Sequence, residues 1–114
     1  MNTIYEQTLL LDFYGELLTE RQREICRMHL QEDWSLGEIA GELGISPQGA
    51  SDAVRRSMAI VKDMEEKLHM VEAFVNLLDK VEGLERLMQE GAGKDEMMNQ
   101  LALIKNGIPI QKTI

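Results

Sequence analysis

The chain has 114 residues, 44% of them apolar and 28% charged, with a formal net charge of −8. That length fits one domain able to bury its own core, and the composition is that of a globular protein, not a disordered one. A single cysteine, Cys26, excludes an internal disulfide, and the longest apolar runs, 58–61 and 101–104, are too short to cross a bilayer.

The opening Met-Asn-Thr-Ile-Tyr-Glu carries neither the basic stretch nor the apolar segment of a secretory signal. A cytoplasmic protein without membrane insertion is expected, and the lone thiol suits that reducing compartment. Residues 1–46 hold three basic and nine acidic side chains, whereas 47–63 hold three and two. Only that second stretch leans basic. Strong DNA binding needs Lys and Arg gathered on one face, so charge alone argues against it.

Helical periodicity runs through nearly the whole chain. Ile4, Leu9, Leu10, Phe13 and Leu17 recur at helical steps and predict a first helix near 3–14, ended by Gly15. Thr19 and Gln22 form a capping box that opens a second helix near 20–31, with Ile25, Met28 and Leu30 as its apolar points. Ser35 and Glu38 form another box before a short helix that turns Leu36, Ile39, Ala40 and Leu43 inward. Gly44 stops it, because the residue after a helix favours the left-handed conformation. Ser46 caps the next helix, and Pro47 takes its first position, where a missing amide costs nothing. The pattern then continues, with room for a bend, to about residue 90. A break at 91–93 precedes a last helix near 95–105, and 108–114 alternates weakly around a proline.

Residues 35–57 meet the demands of a helix-turn-helix. A small residue is needed where the two helices cross, and Ala40 supplies it. Four residues later the sharp turn needs positive φ, which Gly44 allows. Ile39, Leu43, Ile45, Ala50 and Val54 then share one core. The stretch Leu18-Thr-Glu-Arg-Gln-Arg-Glu-Ile, followed by Trp34-Ser-Leu-Gly-Glu-Ile-Ala-Gly-Glu-Leu-Gly-Ile-Ser, resembles the DNA-reading region 4 of sigma factors. With the opening Leu9-Leu-Leu-Asp-Phe-Tyr-Gly-Glu-Leu-Leu-Thr and the later Glu65-Glu-Lys-Leu-His, the resemblance narrows to the YlxM family of small bacterial helix-turn-helix proteins. It covers roughly residues 5–78.

That resemblance implies a non-enzymatic protein linked, through the usual neighbourhood of its gene, to the signal recognition particle GTPase. It places nucleic-acid contacts at Ser46, Gln48, Ser51, Arg55 and Arg56, with Arg21 and Arg23 positioned for the backbone. The competing readings are helix-surface ion pairs of Arg55 and Arg56 with Asp52 or Glu24, and plain solvated surface for Arg21 and Arg23. The chain departs from the sigma pattern at Pro47, Gly49, Ser51 and Ala53, where basic or polar recognition residues are usual. Residues 20–57 hold five basic and seven acidic side chains, a balance of −2. Two functional classes therefore stand side by side: a DNA-binding regulatory protein, weak and salt-dependent, and an accessory of the signal recognition particle GTPase that does not bind DNA.

Other chemistry is thinly supported. Cys26 and His29 share a helix face at i, i+3, but a zinc site needs three or four ligands and no second pair exists. Cys26 lacks an activating base and reads as core filler. Glu65 and Glu66 are adjacent on a helix and diverge, and Gly91-Ala-Gly93-Lys94 lacks the strand and spacing of a phosphate loop. No catalytic residue, cofactor or metal is expected.

Between 61 and 88 two apolar stripes run side by side. Val61, Met64, Leu68, Val71, Val75 and Leu78 form one; Met70, Phe74, Leu77, Val81, Leu84 and Met88 form the other. Together they are too wide for one partner helix. A homodimer is expected, with Met70, Phe74, Val75, Leu78 and Val81 at the protein interface. The expected architecture is all-α. A single helical domain of 1–114 comprises a helix-turn-helix core (19–63), a long association helix (64–90), and a short C-terminal helix and tail (91–114).

Overall fold

The structure is a computed structural model and describes residues 3–108, with side chains from Tyr5 onward. Among the described residues six α-helices follow one another: α1 (Thr3–Tyr14), α2 (Glu20–Cys26), α3 (Leu36–Leu43), α4 (Pro47–Leu68), α5 (Met70–Gln89) and α6 (Lys94–Asn106). No strand occurs among the described residues. The all-α expectation holds. The side chain of Ile4 and the alternating tail beyond residue 108 lie outside the described residues. Contacts gather the chain into two compact units, Met1–Val71 and Glu72–Ile114.

In the first unit the helix boundaries follow the caps. α1 gives way to a tight turn at Gly15–Leu17. The Thr19 hydroxyl then accepts from the Gln22 amide at 3.2 Å while Gln22 Oε1 accepts from the Thr19 amide at 3.0 Å. Past Cys26 the helix widens into one π turn, Arg27–Gln31, whose carbonyls at Arg27 and Met28 accept from the amides of Glu32 and Trp34. Asp33, with φ 59°, reverses the chain; aspartate tolerates the left-handed region better than most residues. His29 Nδ1 donates to the Trp34 carbonyl at 2.7 Å and fixes the connection. Ser35 and Glu38 repeat the reciprocal cap at 3.0 Å each. Gly44 sits at φ 67°, and its amide and that of Ile45 both return to the Ala40 carbonyl.

α1, α2 and α3 all pack on α4. Ile25, Met28, Ile39 and Ala50 form the centre of the helix-turn-helix, with Trp34, Leu36, Leu43, Ile45, Ala53 and Val54 around them. Leu10, Leu11, Tyr14, Leu18, Cys26, Met58 and Val61 are also buried. Leu17, read as an apolar point of the first helix, is instead 54% exposed, because the turn at Gly15–Leu17 rotates it off the helical stripe.

The stretch read as one long helix over 64–90 is two helices. His69 ends α4 at φ 54°, with its amide on the Glu65 carbonyl at 2.8 Å. The first amides of α5 are then satisfied by side chains: Val71 N–H donates to Glu65 Oε1 at 2.9 Å, and Met70 N–H to Tyr14 Oη at 3.3 Å. The first apolar stripe is therefore interrupted. Val61 and Val71 are buried, while Leu68 between them is 55% exposed.

In the second unit, α5 ends at the left-handed Gly91 and α6 starts from Gly93. Gln100 Nε2 donates to the Lys80 carbonyl at 2.9 Å and ties α6 to α5. Gly83 makes room for it, since a Cβ there would lie 2.9 Å from Gln100 Nε2. Ile104 is the only buried side chain described between 72 and 108.

Candidate nucleic-acid interface

The first three turns of α4 carry most of the predicted contact residues. Ser46 Oγ accepts from the Gly49 amide at 2.9 Å, so its hydroxyl oxygen is engaged in capping. Pro47, Gln48, Arg55 and Arg56 are exposed, and Ser51 is half-buried. The turn at Gly44 and the Ser46 cap together set where this helix begins.

Asp52 organises the exposed edge. Its Oδ1 accepts from Gln48 Nε2 at 3.1 Å and from Arg55 at 2.6 Å. Residues 48, 52 and 55 are spaced i, i+4, i+7, so they stand in a row along one helix face. The Arg55 hydrogen bond, followed by that of Gln48, holds the Asp52 carboxyl below the usual carboxylate range. Two predicted nucleic-acid contacts are thus joined to each other through an acidic residue. Of the two arginines whose spacing allows an ion pair with Asp52, Arg55 and Arg56, the structure pairs it with Arg55.

The second group lies on α2. Arg21 is exposed, whereas Arg23 is half-buried and paired with Glu16 at 3.0 Å. Arg27 is exposed too. Sequence reasoning passed over it, although the 20, 23, 24, 27 spacing was the available signal. These residues, with Glu20 and Glu24, line a shallow hollow of about 700 Å³. Arg21, Arg27 and Arg56 make no ion pair among the described residues. The hollow thus carries two arginines without an ion pair, Arg21 and Arg27, beside the acidic Glu20 and Glu24.

The remaining candidates sort as follows. Cys26 is fully buried, and burial pushes its thiol pKa up, so it is neither a nucleophile nor an open ligand position. His29 already holds the Trp34 carbonyl. On α5, Met70, Phe74, Leu78 and Val81 are 42–51% exposed, and Val75 is half-buried. Met88 and Met98 are exposed at 62% and 53%, whereas Met28 and Met58 are buried. Among the described residues no helix is long and apolar enough to cross a membrane.

A short helix, a left-handed glycine and a capped second helix over a shared core define a helix-turn-helix protein. Residues 1–104 match the family described as "Putative helix-turn-helix protein, YlxM / p13 like", and the chain belongs to that family. It is similar to a UPF0122 protein of Acetivibrio thermocellus, 53% identical over 75 residues, covering 66% of this chain and 64% of the relative. A UPF0122 protein of Caldanaerobacter subterraneus is 48% identical over the same shares. One of Halalkalibacterium halodurans is 36% identical over 78% of this chain and 82% of the relative. The match spans just under two thirds of the length of the first two relatives.

Proposed function

We propose that this chain is a cytoplasmic regulatory protein that places the N-terminal turns of α4 against DNA. The observation that carries this reading is the row of donors on the exposed edge of a capped helix: Gln48, Arg55 and Arg56, with Ser51 beside them. Gln48 and Ser51 can reach base edges, and the arginines can reach phosphates. Arg21 and Arg23 on α2, and Arg27 at the start of the π turn that follows it, supply further backbone contacts. With so few unpaired cations, binding is weak and salt-dependent. Anisotropy of a labelled duplex at low and physiological salt tests it: Arg56→Ala should weaken binding and flatten the salt slope. Tight, salt-insensitive binding would contradict this reading.

A homodimer completes it. Among the described residues from 72 onward the one buried side chain is Ile104, while Phe74, Leu78, Val81 and Met88 stay about half exposed or more. Two helices with so little core gain most from a second copy of the same face. Val81, Leu84 and Met88 also line a hollow of about 460 Å³ that an apolar side chain would fill. A two-fold dimer is the usual means of presenting paired recognition helices about one helical turn apart on DNA.

The second reading is an accessory of the signal recognition particle GTPase that does not bind DNA, as the family resemblance implies. The observation favouring it is charge. A net −8 chain whose Arg55 and Gln48 both face Asp52 suits a basic partner protein better than phosphates. Purified GTPase, with and without its RNA, distinguishes the two readings by direct titration.

A further inference from the structure

We infer that Asp52 is an internal phosphate mimic that sets how tightly the recognition helix holds nucleic acid, an inference that rests on the DNA reading above. A carboxylate and a phosphate compete for the same guanidinium, because both offer oxygens to its planar fork. Arg55 already donates to Asp52 Oδ1 at 2.6 Å, and the same oxygen accepts from Gln48 at 3.1 Å. One atom therefore engages both an exposed cation and an exposed amide on the face that would meet DNA. The side chain of Arg55 is 66% exposed, so the guanidinium is reachable by solvent-borne anions and the contest is a real one.

The strength of the device follows from its exposure. A surface ion pair of this kind is weak and opens readily. A phosphate can displace the carboxylate, but Asp52 then remains beside it as an uncompensated negative charge. Binding thus loses one cation's worth of counterion release and gains a repulsion, without losing the fold. Asp52 limits affinity; it does not abolish it. Base readout at Gln48 is limited in the same way, since its amide must leave Oδ1 before it can turn to a base edge.

Asp52→Asn removes the charge and leaves an oxygen for Gln48. The expected result, by anisotropy of a labelled random-sequence duplex, is about fivefold tighter binding at ~0.15 M salt and a salt slope steeper by about 0.9, the yield of one added phosphate contact. The second variant fixes the cause. Arg55→Ala should weaken binding in both backgrounds, but by about fivefold more in Asp52→Asn than in the native chain, so that the gain from Asp52→Asn disappears when Arg55 is absent. Unchanged or weaker binding by Asp52→Asn, alongside measurable binding by the native protein, overturns this inference and leaves the DNA reading standing; weaker binding would make Asp52 a base-reading acceptor. No binding by either protein at low salt overturns the DNA reading itself, and the inference with it.

Discussion

The Tyr14 hydroxyl donates to Glu65 Oε1 at 2.6 Å across 51 residues of sequence, and the same two side chains receive the first amides of α5. Burial first, and the carboxylate second, raise the Tyr14 pKa. Glu65→Ala strands the Val71 amide and the Tyr14 hydroxyl together. The expected loss is about 1–3 kcal/mol per buried group left without a partner. Tyr14→Phe should cost less, about 1 kcal/mol, because Glu65 keeps the Val71 amide. Urea unfolding of both variants checks the order.

Gly44 offers a test of backbone conformation alone. A Cβ there meets nothing within 4 Å, so any cost comes from φ 67° and not from crowding. Gly44→Ala should destabilise by about 1–2 kcal/mol, and Gly44→Val by more, because a β-branched side chain tolerates positive φ least. Gly44→Asn should lie closest to the native protein. Thermal melts rank the three, and equal melting temperatures would contradict the turn assigned here.

The helix-turn-helix was legible because its signals are local. Thr19, Ser35, Gly44, Ser46 and Pro47 each act within one turn, and each sits where its cap or stop predicts. The break at His69 was not legible. No glycine or proline marks it, and the partners that satisfy the new helix start include Tyr14, which is remote in sequence. Leu17 misled for the opposite reason: its spacing fits a helix that has already tightened into a turn. At the candidate site the sequence supplied the donors on α4 but not their state, since which arginine Asp52 engages depends on rotamers that spacing leaves open.

Burial gives a pH dependence with a definite sign. Cys26 and Tyr14 both have raised pKa values in the folded chain, so their unfolded forms lose protons first as pH rises. The stability they contribute is complete below the unfolded values, 9.0 for the thiol and 10.0 for the phenol, and declines as pH climbs from there toward the folded ones. The urea midpoint should fall on the alkaline side of pH 9. Cys26 should also resist thiol reagents until the protein unfolds; rapid labelling of the native chain would contradict its burial.

Self-association is tested on α5. Leu78 is 51% exposed, so Leu78→Glu should leave the monomer folded. If α5 meets a second copy, the native protein sediments at twice the 13.0 kDa chain mass and the variant at that mass, with helix content unchanged. A native protein that sediments as a monomer would remove the homodimer and weaken the case for paired recognition helices.

The most direct measurement is an amide shift map of the isotopically labelled protein titrated with duplex DNA at low salt. The account predicts that perturbations gather at residues 46–56, the cap and first turns of α4, and at Arg21, Arg23 and Arg27 in and just after α2, and fade as salt is raised. Perturbations confined to α5 and α6, or none at any DNA concentration, would contradict a nucleic-acid role for the helix-turn-helix.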